Sequence, residues 1–179
     1  KAAPEKGGLF ACAQTGSIAP MLEDHENVHA RAYRALMSCE PSDKVALVRA
    51  LCQDWAAGLV PLPDGTVAPA LPVDDAGRPQ RPELLAHTSV PRRRPGSPEG
   101  LAALLHAIAH IEFNAINLAL DCVYRFRGLP VDFYAGWLTV AFEEAYHFGL
   151  VADRLRDVGF AYGDFPAHRG LWDMAVKTA

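Results

Sequence analysis

The chain has 179 residues, 50% of them hydrophobic and 21% charged, with a formal net charge of −4. That size and balance describe one soluble globular domain with room for a sizeable core. The acidic balance excludes a general electrostatic attraction to nucleic acid or to an anionic membrane.

Residues 1–16 contain no continuous apolar run followed by a cleavage site, so they are read as an irregular amino terminus and not as a secretory signal. Residues 17–38 are predicted helical, with Ser17 and Pro20 near the start. Met21, Leu22, Val28, Ala32, Ala35 and Leu36 form its ragged apolar face. Glu26 and His29 within it make a Glu-x-x-His pair, but Glu23, Asp24, His25 and Arg31 surround it with polar groups, which suits exposure better than metal ligation. A second helix is predicted from Ser42, a good N-cap, through Val45, Val48, Leu51 and Trp55 to Gly58.

Residues 61–98 hold nine of the 14 prolines and carry no helical or strand period. Leu71, Val73, Leu84, Leu85 and Val90 supply apolar anchors, so the segment reads as an ordered strap across the bundle surface. Its run Arg92-Arg93-Arg94 is the one basic cluster; in an acidic chain it suits a solvated loop or a partner for surface acids.

Ser97-Pro98-Glu99 opens a long helix with an N-cap, a first-turn proline and an acid at the positive end of the dipole. This helix is predicted over 99–127 and a second over 131–158, with Gly128-Leu129-Pro130 as break and restart. The apolar stretch from Leu101 to Leu120 contains His106, His110, Glu112, Asn114 and Asn117, too many polar groups for a bilayer span. Gly159 ends the second long helix, residues 162–168 form a turn, and a last helix begins near Leu171. A chain that starts at Lys1 and stops at Ala179 within a helical pattern is read as a fragment or as a product ordered only in part. The fold class is all-α: a single helical domain over 1–179 with a long Pro-rich strap.

The chemistry concentrates on the two long helices. So short a connection makes them antiparallel neighbours. Glu112 lies 17 residues before Leu129, while Glu144 and His147 lie 15 and 18 residues after it. At about 1.5 Å per residue the three fall in one layer, roughly 25 Å from the turn. Leu105, Ile108, Glu112, Ala115, Ala119, Cys122 and Phe126 form one stripe; Phe133, Trp137, Val140, Glu144, His147, Val151 and Val158 form the facing one. All three ionisable groups are therefore expected to point into the core. A buried carboxylate must be neutralised, paired or bound to a cation. Two carboxylates and an imidazole at one level suit a divalent metal; the alternative is a buried polar network with Arg or His.

Other residues are ambiguous. His106, His110, Asn114, Asn117 and Asp121 share a face turned about 160° from Glu112. That face is a network behind the ligands or a substrate-facing stripe, or else a solvated or inter-helix polar surface. Glu143 points about 100° away from Glu144, towards a basic partner or the bundle rim. Tyr146, Tyr134, Trp137 and Phe113 shape a pocket or simply fill the core. The four cysteines, Cys12, Cys39, Cys52 and Cys122, form no Cys-x-x-Cys pair, and buried free thiols in a reducing, cytoplasmic compartment are expected.

From about Leu36 onward the chain resembles a family of bacterial ferritin-like proteins of unassigned function. The resemblance is carried by His106-Ala-Ile-Ala-His110-Ile-Glu112-Phe113-Asn-Ala-Ile116, by Phe133-Tyr134 and Trp137, and by Glu143-Glu144-Ala-Tyr-His147-Phe148. It continues in Tyr162-Gly163-Asp164-Phe165-Pro166-Ala-His168 with Leu171-Trp172. That family is similar to dimetal carboxylate proteins, and its enzymatic look-alike is the non-haem di-iron hydroxylase of isopentenyl-adenosine in tRNA. The resemblance implies a ferritin-like bundle in which Glu112 is the lone carboxylate of one helix and Glu144 and His147 the Glu-x-x-His of the next. It implies iron, with manganese as the alternative, and O₂-dependent oxidation of a small-molecule or modified-nucleoside substrate. His110, Asn114, Glu143 and Tyr146 would surround the ligands. Two further helices would supply the other carboxylate and Glu-x-x-His; this chain stops before them, so the expectation is an incomplete product or a homo-oligomer that completes the site. The alternatives are a non-enzymatic metal-binding bundle and a helical interaction protein whose buried acids are structural.

Overall fold

The computed structural model describes residues 27–177 apart from 65–67, 92, 93 and 95. The elements are α1 (Val28–Met37), α2 (Pro41–Ala56), a single 3-10 turn at His87–Ser89, α3 (Pro98–Arg125), α4 (Val131–Asp157) and α5 (Gly170–Lys177). The molecule is an all-α bundle, as expected. Among the described residues the one β-like feature is an isolated parallel bridge between Leu84 and Ala167.

α1 begins later than its apolar pattern predicts. Asn27 is extended and its side-chain oxygen accepts from Ala30 N–H at 2.9 Å, so a helix running unbroken over 17–38 is interrupted there. The amide side chain satisfies a backbone donor that helix continuation would otherwise need. The predicted residues 17–26 lie outside the described residues. α2 starts at Pro41, whose fixed φ and missing N–H suit a first helical position; Ser42 sits inside the first turn and does not cap it.

α3 and α4 form the antiparallel hairpin, with α1 against α3, α2 against α1 and α4, and α5 against α3. Ser97 Oγ accepts from Gly100 N–H at 3.0 Å to start α3. Gly128 takes a positive φ of 67° in the turn. Buried Tyr134 clamps that turn: its hydroxyl donates to the Phe126 carbonyl at 3.1 Å and accepts from Leu129 N–H at 3.0 Å.

The described residues of the strap are held both through apolar side chains, with Val73 and Ala76 in the core cluster and Leu62 and Ala70 packed against it, and through hydrogen bonds to its backbone. Val73 is buried, Leu84, Leu85 and Val90 are half-buried, and Leu71 is exposed. Hydrogen bonds to its backbone add to this packing. Tyr124 Oη bridges the N–H and carbonyl of Leu71 at 3.1 and 3.2 Å, Trp172 Nε1 donates to the Asp74 carbonyl at 3.0 Å, and Gly77 N–H donates to the Leu36 carbonyl at 3.0 Å. A Cβ at Gly77 would stand 2.2 Å from the Met37 carbonyl oxygen; only glycine lets strap and α1 approach this closely.

The burial of α3 departs from the expected stripe. Its buried face includes His106, Asn114, Asn117 and Asp121, while Leu101, Leu104 and Ile111 are exposed. Among the described residues α3 is the one helix long and apolar enough to cross a bilayer, yet it lies packed against α1, α4 and α5. Cys39 is disulfide-bonded and Cys52 and Cys122 are free thiols, which corrects the expectation that all four would be free.

Candidate metal centre

The hairpin brings Glu112, Glu144 and His147 together. His147 Nδ1 stands 3.5 Å from Glu144 Oε2 and 4.0 Å from Glu112 Oε2, and one donor atom from each residue falls within 4.8 Å of the other two. Ligand atoms around one ion with bonds of about 2.1 Å lie roughly 3 to 4 Å apart. These side chains, two hard carboxylate oxygens and a borderline imidazole, therefore fit a divalent transition metal. His147 presents Nδ1 to the carboxylates. The Glu112 carboxyl is pushed up to about 7, first by its hydrogen bond with Glu144, then by burial and by the Glu144 charge, while His147 pulls in the opposite direction. Two carboxyl groups this close cannot both ionise freely without a cation between them.

The expected burial is only partly met. The Glu112 and Glu144 side chains are 20% and 24% exposed, and that of His147 is 50% exposed. The trio sits on the rim of the hairpin, not inside a sealed core. The reason is the actual burial of α3 and α4: their inward faces centre on Phe113, Leu120, Tyr134 and Ala145, about a quarter turn away from Glu112 and Glu144. Ile108 and Ala115 are half-buried and Phe126 is exposed, so the stripe read as core marks the flank of the helix.

Of the residues expected around the ligands, Tyr146 lies beside His147, with ring centroids 6.1 Å apart; Tyr146 and Glu143 are both exposed. His110 and Asn114 are turned to the other side of α3. His110 Nε2 donates to the His168 carbonyl at 2.9 Å, leaving Nδ1 to accept from Tyr162 Oη at 2.9 Å; burial, named first among the causes, holds its pKa below the usual imidazole range. Asn114 Nδ2 donates to the His110 carbonyl at 2.7 Å. They are part of the joint between α3 and the chain after α4, so the reading of them as support for the metal ligands is corrected. His106 shares that joint: its Nε2 accepts from Gly163 N–H at 2.9 Å, and burial lowers its pKa to about 4.

Glu26, half of the Glu-x-x-His pair with His29, lies outside the described residues. His29 itself is buried, against the exposure its polar neighbours suggested, and its Nδ1 donates to the Val123 carbonyl at 2.7 Å. Arg92 and Arg93 also lie outside the described residues. Lys44 drew no attention in the sequence, yet it is fully buried and its ammonium donates to the carbonyls of Ala35 (3.0 Å) and Leu36 (2.6 Å) at the end of α1. Its position on α2, one turn before Val48 in an apolar row, was the available signal.

An α-helical hairpin with an acid–acid–imidazole cluster defines a candidate metal-binding class and nothing narrower. The chain belongs to the family described as protein of unknown function (DUF455), whose model matches residues 37–179. It is 43% identical over 153 residues to an uncharacterized protein of Haemophilus influenzae, covering 81% of this chain and 53% of that protein. The chain thus spans about half the length of the curated relative it matches. No solved structure matches it.

Proposed function

We propose that this protein binds a divalent transition metal through Glu112, Glu144 and His147, as part of a ferritin-like, carboxylate-bridged dimetal site of a non-haem di-iron oxidoreductase. The observation that carries the reading is the convergence of three ligand atoms from two helices within 4.8 Å. Buried acids kept only for structure are better served by an Arg partner, as Asp121 is by Arg125 at 2.8 Å; the Glu112–Glu144 pair has an imidazole instead.

Iron or manganese held there would supply one-electron chemistry with O₂ for oxidising an organic substrate. The chain's own residues prepare the place. The hydrogen bond with Glu144, and then burial, hold the Glu112 carboxyl up at about 7, so a cation bound there would displace its proton, and His147 would offer Nδ1. Three ligands leave coordination positions open. Leu104 and Ile111 on α3 and Leu150 on α4 are exposed, apolar surface on the same two helices that suits a further helical layer bringing more ligands, from additional helices or from a second copy of the chain. A non-enzymatic metal-binding bundle is the second reading, favoured by the position of the cleft beneath the strap, which lies across α3 from the trio.

Elemental analysis of protein purified without chelators tests the assignment. About one metal or fewer per chain is expected from three ligands, falling to background when Glu112→Ala and His147→Ala are combined. Full metal content in that double variant overturns the assignment.

A further inference from the structure

On the far side of α3 from the carboxylate pair, the strap and the segment after α4 enclose a narrow cleft of about 390 Å³ counting its open mouth, with interior space of about 20 Å³. That interior accepts one water-sized group. Phe113, Tyr162 and Trp172 give it aromatic walls, and Pro79, Pro82 and Leu84 close the strap side.

Most polar groups around the cleft are already engaged. Both His110 nitrogens are bonded, Trp172 Nε1 is bonded to the Asp74 carbonyl, and Arg169 is held by Asp173 at 2.7 Å and Asp75 at 3.5 Å. Two groups differ. Asn117 lines the cleft at 3% exposure, and its side-chain oxygen is buried with no hydrogen-bond donor in reach. Such a group costs stability unless something completes it. Arg78 lines the same cleft, and its Nε makes only a loose ion pair with Asp75 at 3.8 Å, beyond hydrogen-bond distance. Burial dominates both neighbours, raising the Tyr162 phenol and lowering the His110 imidazole; the Arg78 charge is felt inside as a smaller effect that opposes the first and adds to the second.

We infer that this cleft binds a small organic carboxylate carrying an O–H or N–H donor: the donor tip enters the interior to meet Asn117, and the carboxylate pairs with Arg78 at the mouth. The aromatic and proline walls suit a slender carbon body between the two ends. The water-sized interior selects against bulk at the donor end. Because α3 separates this cleft from Glu112, the site stands whether or not the trio holds a metal.

Titration of the full chain with 3-hydroxypropionate and with propionate, followed by the indole N–H resonance of Trp172, tests the inference. The hydroxy acid is expected to bind about tenfold tighter, the worth of one hydrogen bond to a buried acceptor. Arg78→Gln, at a partly exposed position, should weaken both acids. Asn117→Leu should bring their affinities together while leaving metal content unchanged. An unmoved Trp172 resonance at about 50 mM of either acid, well above the millimolar range of weak ligands, overturns the site. Equal affinity of the two acids for the wild-type chain, or indifference to Arg78→Gln, overturns it as well.

Discussion

Glu112 on α3 and His147 on α4 come from opposite arms of the hairpin, and their Oε2 and Nδ1 atoms stand 4.0 Å apart. The turn that sets this register is clamped by the Tyr134 hydroxyl. On the proposed metal assignment, binding would therefore depend on the geometry of the hairpin.

In metal-free protein the Glu112 and Glu144 carboxyls crowd one another, so Glu112→Gln should leave the melting temperature unchanged or raise it. Excess Mn²⁺ should stabilise the wild type, by about 2.7 kcal/mol at a hundredfold excess over Kd, and should not stabilise Glu112→Gln. Thermal melts with and without the ion check both parts; equal stabilisation of the two proteins would count against Glu112 as a ligand.

Tyr134→Phe removes one donor and one acceptor from the hairpin turn. A loss of about 1–2 kcal/mol is expected in urea unfolding, with weaker Mn²⁺ binding because the two arms lose their register. Unaltered Mn²⁺ affinity would show that the helices hold the register without the clamp.

Lys44 has the clearest dependence on pH. Burial lowers its pKa from 10.5 to about 7, so between these values the unfolded chain holds a proton that the folded chain has released. Stability should therefore rise as pH increases from about 7 to 10, and be lower where the buried amine must carry its charge. Lys44→Met should flatten this slope while leaving the α1 carbonyls less well satisfied, at a cost of about 1–3 kcal/mol. Urea midpoints at several pH values in that window decide it, and a wild-type profile that falls with pH would contradict the assignment.

Leu104→Lys with Ile111→Lys alters only the exposed flank of α3. Folding stability should shift by no more than about 0.5 kcal/mol, while self-association in sedimentation velocity should fall if copies meet through this face. A large loss of stability would mean that the flank is packed within the chain itself.

Much of this molecule was readable from residue order. The level of Glu112, Glu144 and His147 follows from counting along two helices from a short Gly-Leu-Pro turn, because helical rise is nearly constant. Ser97, Pro98 and Glu99 marked the start of α3 for the same local reason, that capping depends on neighbours within a turn. Asn27 escaped notice because its side chain competes with the helix it begins, and an apolar period cannot register that contest.

The side of α3 that faces inward was decided only by tertiary structure. Its apolar residues occur on nearly every side, so periodicity alone admits more than one buried stripe. Packing against α1, α4 and α5, and against the segment after α4 where Tyr162, Gly163 and Phe165 meet His106, buries His106, Asn114 and Asn117 and leaves Ile111 outside. The rotation that results puts His147 half in water. Residue order determined that the three side chains would meet, since that needs only helix length and a turn; how deeply they lie depended on packing partners, because burial is a property of the assembled surfaces and not of any one helix.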